Sequence, residues 1–194
     1  MGLSPLQTPL TTAQVDAGNA AATQSSPLGL EDLYKDCGTL AHAYMELLAQ
    51  RASLASLAVS AWHKPMRRWL MRLGHSESAA TQGADIVMAA LQTTLASQAG
   101  QWVLQDHDQA ASELSLMQVG ESGAKNHVID RTFIAQGTRW IIDYKLGLGD
   151  EAESSAAAEA HRPQLARYAS LFADAGLPIK TAVLFLSTGR MVVL

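Results

Sequence analysis

Apolar residues recur along this chain with two different periods, and the change from one to the other divides it. From about Gly38 to Ala61, Leu40, Tyr44, Leu47, Leu48, Leu54 and Leu57 return at steps of three and four, marking one face of a helix. "HKPMRRWLMRLG" continues the pattern, with Pro65 suited to a first helical turn and Gly74 to a stop. A third helix is expected from about Ser76 to Gln98, ending at Gly100.

Past Gly100 the period shortens to two. "QWVLQ", "ELSLMQV", "HVIDRTFIA" and "TRWIIDYK" read as strands, the last two joined by a tight turn at Gln136-Gly137. After the polar "GDEAESS", the stretch "AAAEAHRPQLARYASLFADAG" is helical again, and Pro163 marks either a kink or the start of its ordered part. "TAVLFLS" and "RMVVL", separated by a Thr188-Gly189 turn, close the chain as a hairpin. Helices, strands, helix, strands: the order describes a mixed α/β domain. Residues 1–27, rich in Thr, Gln, Ser, Ala and Pro with almost no charge, read as a tail or linker, which leaves 28–194 as one domain.

Composition narrows the function more than the fold. A chain of 194 residues that is 48% hydrophobic has enough apolar surface for one real core. Its net charge of −4 gives no global pull towards nucleic acid or anionic lipid, so any such contact needs a local basic groove or a metal-assisted phosphate site. A single cysteine, Cys37, excludes an internal disulfide and a four-cysteine cluster within one chain. The apolar stretches are too short and too polar for a membrane span, and no secretory leader is visible, so a cytoplasmic location is expected.

Charge inside the strands raises the chemical question. Asp130 and Asp143 each interrupt an apolar run, and Lys145 follows the second on the same strand face. An unpaired buried carboxylate is costly, so these groups either sit on a solvated strand end or hold something. Two carboxylates converging at a sheet end form a hard-oxygen site for Mg²⁺ or Mn²⁺, and a neighbouring lysine could stabilise charge developing on a phosphate. In "WHKPMRRWLMRLGH", Lys64, Arg67, Arg68 and Arg72 stand among Trp62 and Trp69. This is either a cationic solvated face over an aromatic contact, or a track for a nucleic-acid strand with bases stacked on rings.

"VIDRTFIAQGTRWIIDYK" resembles the nuclease motif of the PD-(D/E)XK superfamily in the form carried by RecB- and AddA-type proteins. "QLARY" is similar to their Gln-Leu-x-x-Tyr motif, "GTLAHAYMELLA" to their Gly-Thr-x-x-His helix, and "ASELSL" with Glu113 to a strand bearing a glutamate. The resemblance covers roughly residues 30–194 and implies a restriction-endonuclease-like core, a central mixed sheet flanked by helices. It implies His42, Asp130 and Asp143 as metal ligands, with the carbonyl of Tyr144 a further one, and Lys145 as the lysine that serves the attacking water. Gln164 and Tyr168, four apart on a helix, would lie beside the site. Two departures stand out. Leu146 occupies the place where the family usually has Thr or Ser, and no P-loop occurs, so a superfamily 1 helicase would have to be a separate partner or a fusion.

The expectation is therefore a Mg²⁺- or Mn²⁺-dependent deoxyribonuclease, an exonuclease on single strands or DNA ends in recombination or repair. The rival is an idle nuclease-fold module that binds DNA or a helicase, and RNA is not separated from DNA. Residue by residue, plainer readings stay open: His42 bonded to Glu46 on its own helix, Gln164 and Tyr168 as a half-buried stripe, His127 as a surface histidine.

Overall fold

The computed structural model describes residues 29–50, 59–120, 123–147 and 151–194. The tail of residues 1–27 and the positions of Leu54 and Leu57 lie outside the described residues.

Four helices come first. Helix α1 (Leu30–Ala49) begins well before Gly38, because Asp32 accepts a hydrogen bond from the Gly29 N–H at 3.0 Å and caps the first turn. Helix α2 (His63–Arg72) follows a 3₁₀ turn at Val59–Trp62, with Pro65 in its first turn as the sequence suggests. Helix α3 (Glu77–Ala96) starts at Ser76, whose Oγ accepts from Ala79 N at 3.2 Å. The buried His75 donates across to Asp36 at 2.7 Å and so pins the end of α2 to α1.

Helix α4 (Gln98–Leu104) corrects the reading of "QWVLQ" as a strand. Ser97 Oγ accepts from Gly100 N at 2.9 Å and opens a new helix directly behind α3. Seven residues are too few to show a helical period, and the spacing of Trp102 and Leu104 mimics a strand. Gly100 is not a stop: a Cβ there would lie 2.0 Å from the carbonyl oxygen of Thr94, so the glycine lets the two helices touch.

The sheet is five-stranded in the order β1-β2-β3-β4-β5, formed by Asp108–Gly120, Gly123–Ala135, Thr138–Lys145, Ile179–Phe185 and Arg190–Val193. Neighbours are antiparallel except β3 and β4, which run parallel. A parallel pair needs a crossover, here α5 (Glu151–Ala160) and α6 (Arg162–Ser170), broken at His161 just before Pro163. Between β2 and β3 the hairpin turn puts Gln136 at φ 51° and Gly137 at φ 71°, the two-residue turn whose twist suits the strands.

Alternation along β3 and β4 separates two cores. Ile142, Tyr144, Ala182 and Leu184 face the layer of α1 to α4, joined by Phe133 from β2. Ile141, Val183 and Phe185 face α5 and α6, joined by Ile129. Leu146 continues the alternation by packing on the first core, which accounts for an apolar residue after the lysine. No helix among the described residues is long and apolar enough to cross a membrane.

Candidate metal centre and its surroundings

The β2–β3 ladder runs from Ala135 opposite Thr138 to Arg131 opposite Ile142. Asp130 and Asp143 are the next residues on the two strands, where the pairing gives out. There a side chain replaces the missing rung: Asp130 Oδ2 accepts from the Tyr144 backbone N–H at 2.6 Å. The other Asp130 oxygen, Oδ1, lies 3.6 Å from His42 Nδ1. His42 reaches in from α1, and its Nε2 stands 2.8 Å from the carbonyl oxygen of Tyr144. A carbonyl only accepts, so Nε2 carries hydrogen and Nδ1 is left facing the carboxylate. This placement, not a bond to Glu46, is what holds the imidazole.

Glu113 comes from the opposite side. In the β1–β2 register Ser112 pairs with Arg131 and Leu114 with Ile129, which sets Glu113 across from Asp130. Its φ is 48°, a left-handed conformation rare for a residue with a side chain and uncommon inside a strand. Such backbone conformations cost free energy and gather at functional sites. The result is that His42, Glu113 and Asp130 offer ligand atoms all within 4.8 Å of one another.

Asp143 lies beside this trio and makes different contacts. Lys145 Nζ is 2.9 Å from its Oδ2, an ion pair that compensates the buried carboxylate. Gln164 Nε2 is 3.4 Å from Asp143 Oδ1 and 2.8 Å from Tyr168 Oη. Tyr168 is buried, with His127 edge-on to its ring at 6.0 Å. The pair on α6 is thus both a packed stripe and a link to the carboxylate.

Crowding shows in the protonation. Burial and then Asp130 push the Asp143 carboxyl above the usual aspartate range, with Lys145 opposing. Burial, Asp130 and Glu46 raise Glu113, against His42. At His42, burial favours the neutral ring, but Asp130 and the Tyr144 carbonyl outweigh it and hold the proton. Nitrogen and carboxylate lone pairs converge on one place, which must be filled by a proton or a cation. Hard oxygen donors with one imidazole suit a divalent cation, and the donor set fits one.

The basic cluster of α2 is resolved into two parts. Trp62 is buried, so its indole is no stacking platform, which corrects that part of the expectation, while Trp69 is half-buried with one side against the core. Arg67 is paired with Glu77 at 2.6 Å, whereas Lys64, Arg68 and Arg72 lie exposed at four-residue steps on the outer face. Sequence reasoning passed over Arg131 and His161. Buried Arg131 donates to the carbonyls of Val103 and Gln105 at 3.2 and 3.1 Å and to Ser112 Oγ at 3.2 Å, bolting the end of α4 to the sheet. For His161 the available signal was its place three residues before Gln164, one helical turn away.

Mixed sheet, crossover and carboxylate–histidine–lysine cluster together define a fold and site, and a family model extends that definition over nearly the whole chain. The chain belongs to the PD-(D/E)XK nuclease superfamily, whose model matches residues 20–192. No match is found among curated proteins. Members of this superfamily usually use divalent metals, and the cluster of His42, Glu113 and Asp130 is the candidate place for one.

Proposed function

We propose that residues 28–194 form one metal-dependent nuclease domain that hydrolyses DNA phosphodiester bonds with Mg²⁺ or Mn²⁺. The observation that carries this reading is the convergence of His42, Glu113 and Asp130 within 4.8 Å, with the buried Asp143 carboxylate and its ion-pair partner Lys145 alongside. His42, Asp130 and Asp143 hold the cation, Glu113 closes the β1 side, and the second lone pair of the Tyr144 carbonyl is free to join them. When bound, the cation supplies positive charge against the scissile phosphate and makes water more acidic.

The chain's own groups do the rest. The Tyr144 carbonyl, accepting from Nε2–H, holds His42 in one tautomer, and the Tyr144 N–H fixes Asp130 beside it. Lys145, kept in place by Asp143, meets charge developing on the phosphate as water adds and the phosphorus–oxygen bond breaks. Gln164 keeps Asp143 oriented and is itself steadied by Tyr168. The resemblance to RecB- and AddA-type nucleases favours exonuclease action on single strands or ends, in recombination or repair, beside a superfamily 1 helicase supplied by another chain or fusion.

The test is incubation with end-labelled single- and double-stranded DNA in Mg²⁺, Mn²⁺ or EDTA. Expected is metal-dependent shortening, with single strands degraded fastest and mononucleotides or short oligonucleotides released progressively. Intact DNA under every metal condition would refute the reading, and RNA cleavage without DNA cleavage would reassign the substrate.

A further inference from the structure

We propose that the imidazole of His161 donates a hydrogen bond to a phosphate oxygen of the bound strand, beside Lys145 at the mouth of the site. This rests on the nuclease reading above and adds a substrate contact that the motifs do not contain.

Chain direction places the residue. Because α6 lies in the crossover between the parallel strands β3 and β4, it runs back along β3. Tyr168 shares a core with Ile141, and one turn earlier Gln164 touches Asp143. One further turn back is His161, as Lys145 is one further same-face residue along β3. A helical turn rises about 5.4 Å and two strand residues about 6.6 Å, so the two series stay in step. His161, Gln164 and Tyr168, at i, i+3 and i+7, form one stripe aimed at Ile141, Asp143 and Lys145. The electrostatics agree: burial first and Lys145 next hold the His161 ring below the usual histidine range, with Asp143 opposing.

The ring is half-buried, and among the described residues neither nitrogen has a hydrogen-bond partner. His42, His63, His75 and His107 all have one. Its backbone is fully used, since His161 N donates to Ala158 O at 2.9 Å and its carbonyl accepts from Leu165 N at 3.0 Å. The position is therefore rigid while the side chain is unspent. A neutral ring adds a donor beside Lys145 without adding a second repelling charge, in a site where Glu113, Asp130 and Asp143 offer a phosphate only acceptors.

The full chain, His161→Ala and His161→Asn are compared in three measurements: kcat and KM on an end-labelled single strand in Mg²⁺, Kd for a fluorescent oligonucleotide in Ca²⁺, and Tm. Losing one donor should raise KM and Kd about fivefold in the alanine variant. Expected alongside are kcat within about twofold, an unchanged Tm, and recovery of most of the loss in His161→Asn, which keeps an N–H donor. Unchanged KM and Kd in His161→Ala, in a wild-type chain that cleaves DNA, would overturn this inference and leave the nuclease reading intact. A fall in kcat alone, or equal damage from Ala and Asn, would overturn it too. A wild-type chain that neither binds nor cleaves would overturn both.

Discussion

His42 Nε2 and the carbonyl oxygen of Tyr144 meet at 2.8 Å across 102 positions of sequence. That contact turns His42 Nδ1 towards Asp130 and makes a proton and a cation rivals for one place. His42 carries a raised pKa, so its contribution to the stability of the metal-free chain is complete below its unfolded value near 6.5 and is lost as pH rises through the folded value. Glu113 and Asp143 are raised as well, so ionising them also costs stability above their unfolded values near 4.5 and 3.8. In EDTA, Tm should fall from pH 5 to pH 8. Millimolar Mn²⁺ should raise Tm more at pH 8 than at pH 5, and calorimetry at the two pH values checks both signs.

Asp143→Asn separates stability from function. The carboxylate is buried against Asp130, and its amide analogue carries no charge to desolvate. Without metal the variant should be more stable, by about 1 kcal/mol, while hydrolysis falls at least ~100-fold. Thermal melts in EDTA and a nuclease assay read the two effects. Loss of both together would mean that Asp143 is chiefly structural.

Lys145→Gln should leave cation binding within about threefold and lower kcat by about 10²- to 10⁴-fold. Its ammonium is partly exposed and pairs with Asp143, whereas Asp130 is held by the Tyr144 N–H and not by the lysine. Mn²⁺ titration alongside kinetics distinguishes this from loss of the ion.

Arg131→Met tests a residue that directly follows Asp130 in the chain and that the structure places under α4. Removing it orphans the carbonyls of Val103 and Gln105, at a cost of about 2–4 kcal/mol. Denaturant melts should show that loss, with kcat of the folded fraction close to wild type.

Strong, regular periods made much of this molecule legible. "TRWIIDYK" is strand β3 residue for residue, and Gln136-Gly137 is the turn that its composition announces. The juxtaposition of His42 with Asp130 also follows the motif order. Helix α4 was hidden because seven residues carry no readable period, and because Gly100, a usual helix stop, here serves a close approach to Thr94. The aim of Glu113 depends on a positive φ within a strand, which no side-chain pattern encodes. His161 gains meaning only when the crossover brings α6 back along β3, a tertiary fact absent from local sequence.

The central claim is that one divalent cation sits among His42, Glu113, Asp130 and Asp143. Mn²⁺ titration of the metal-free chain at pH 8, followed by electron paramagnetic resonance, tests it most directly. One tight site should be found in the wild type and lost in Asp130→Asn, with the fold retained by circular dichroism. Equal Mn²⁺ binding by the two proteins, or none by the wild type at millimolar metal, would contradict it.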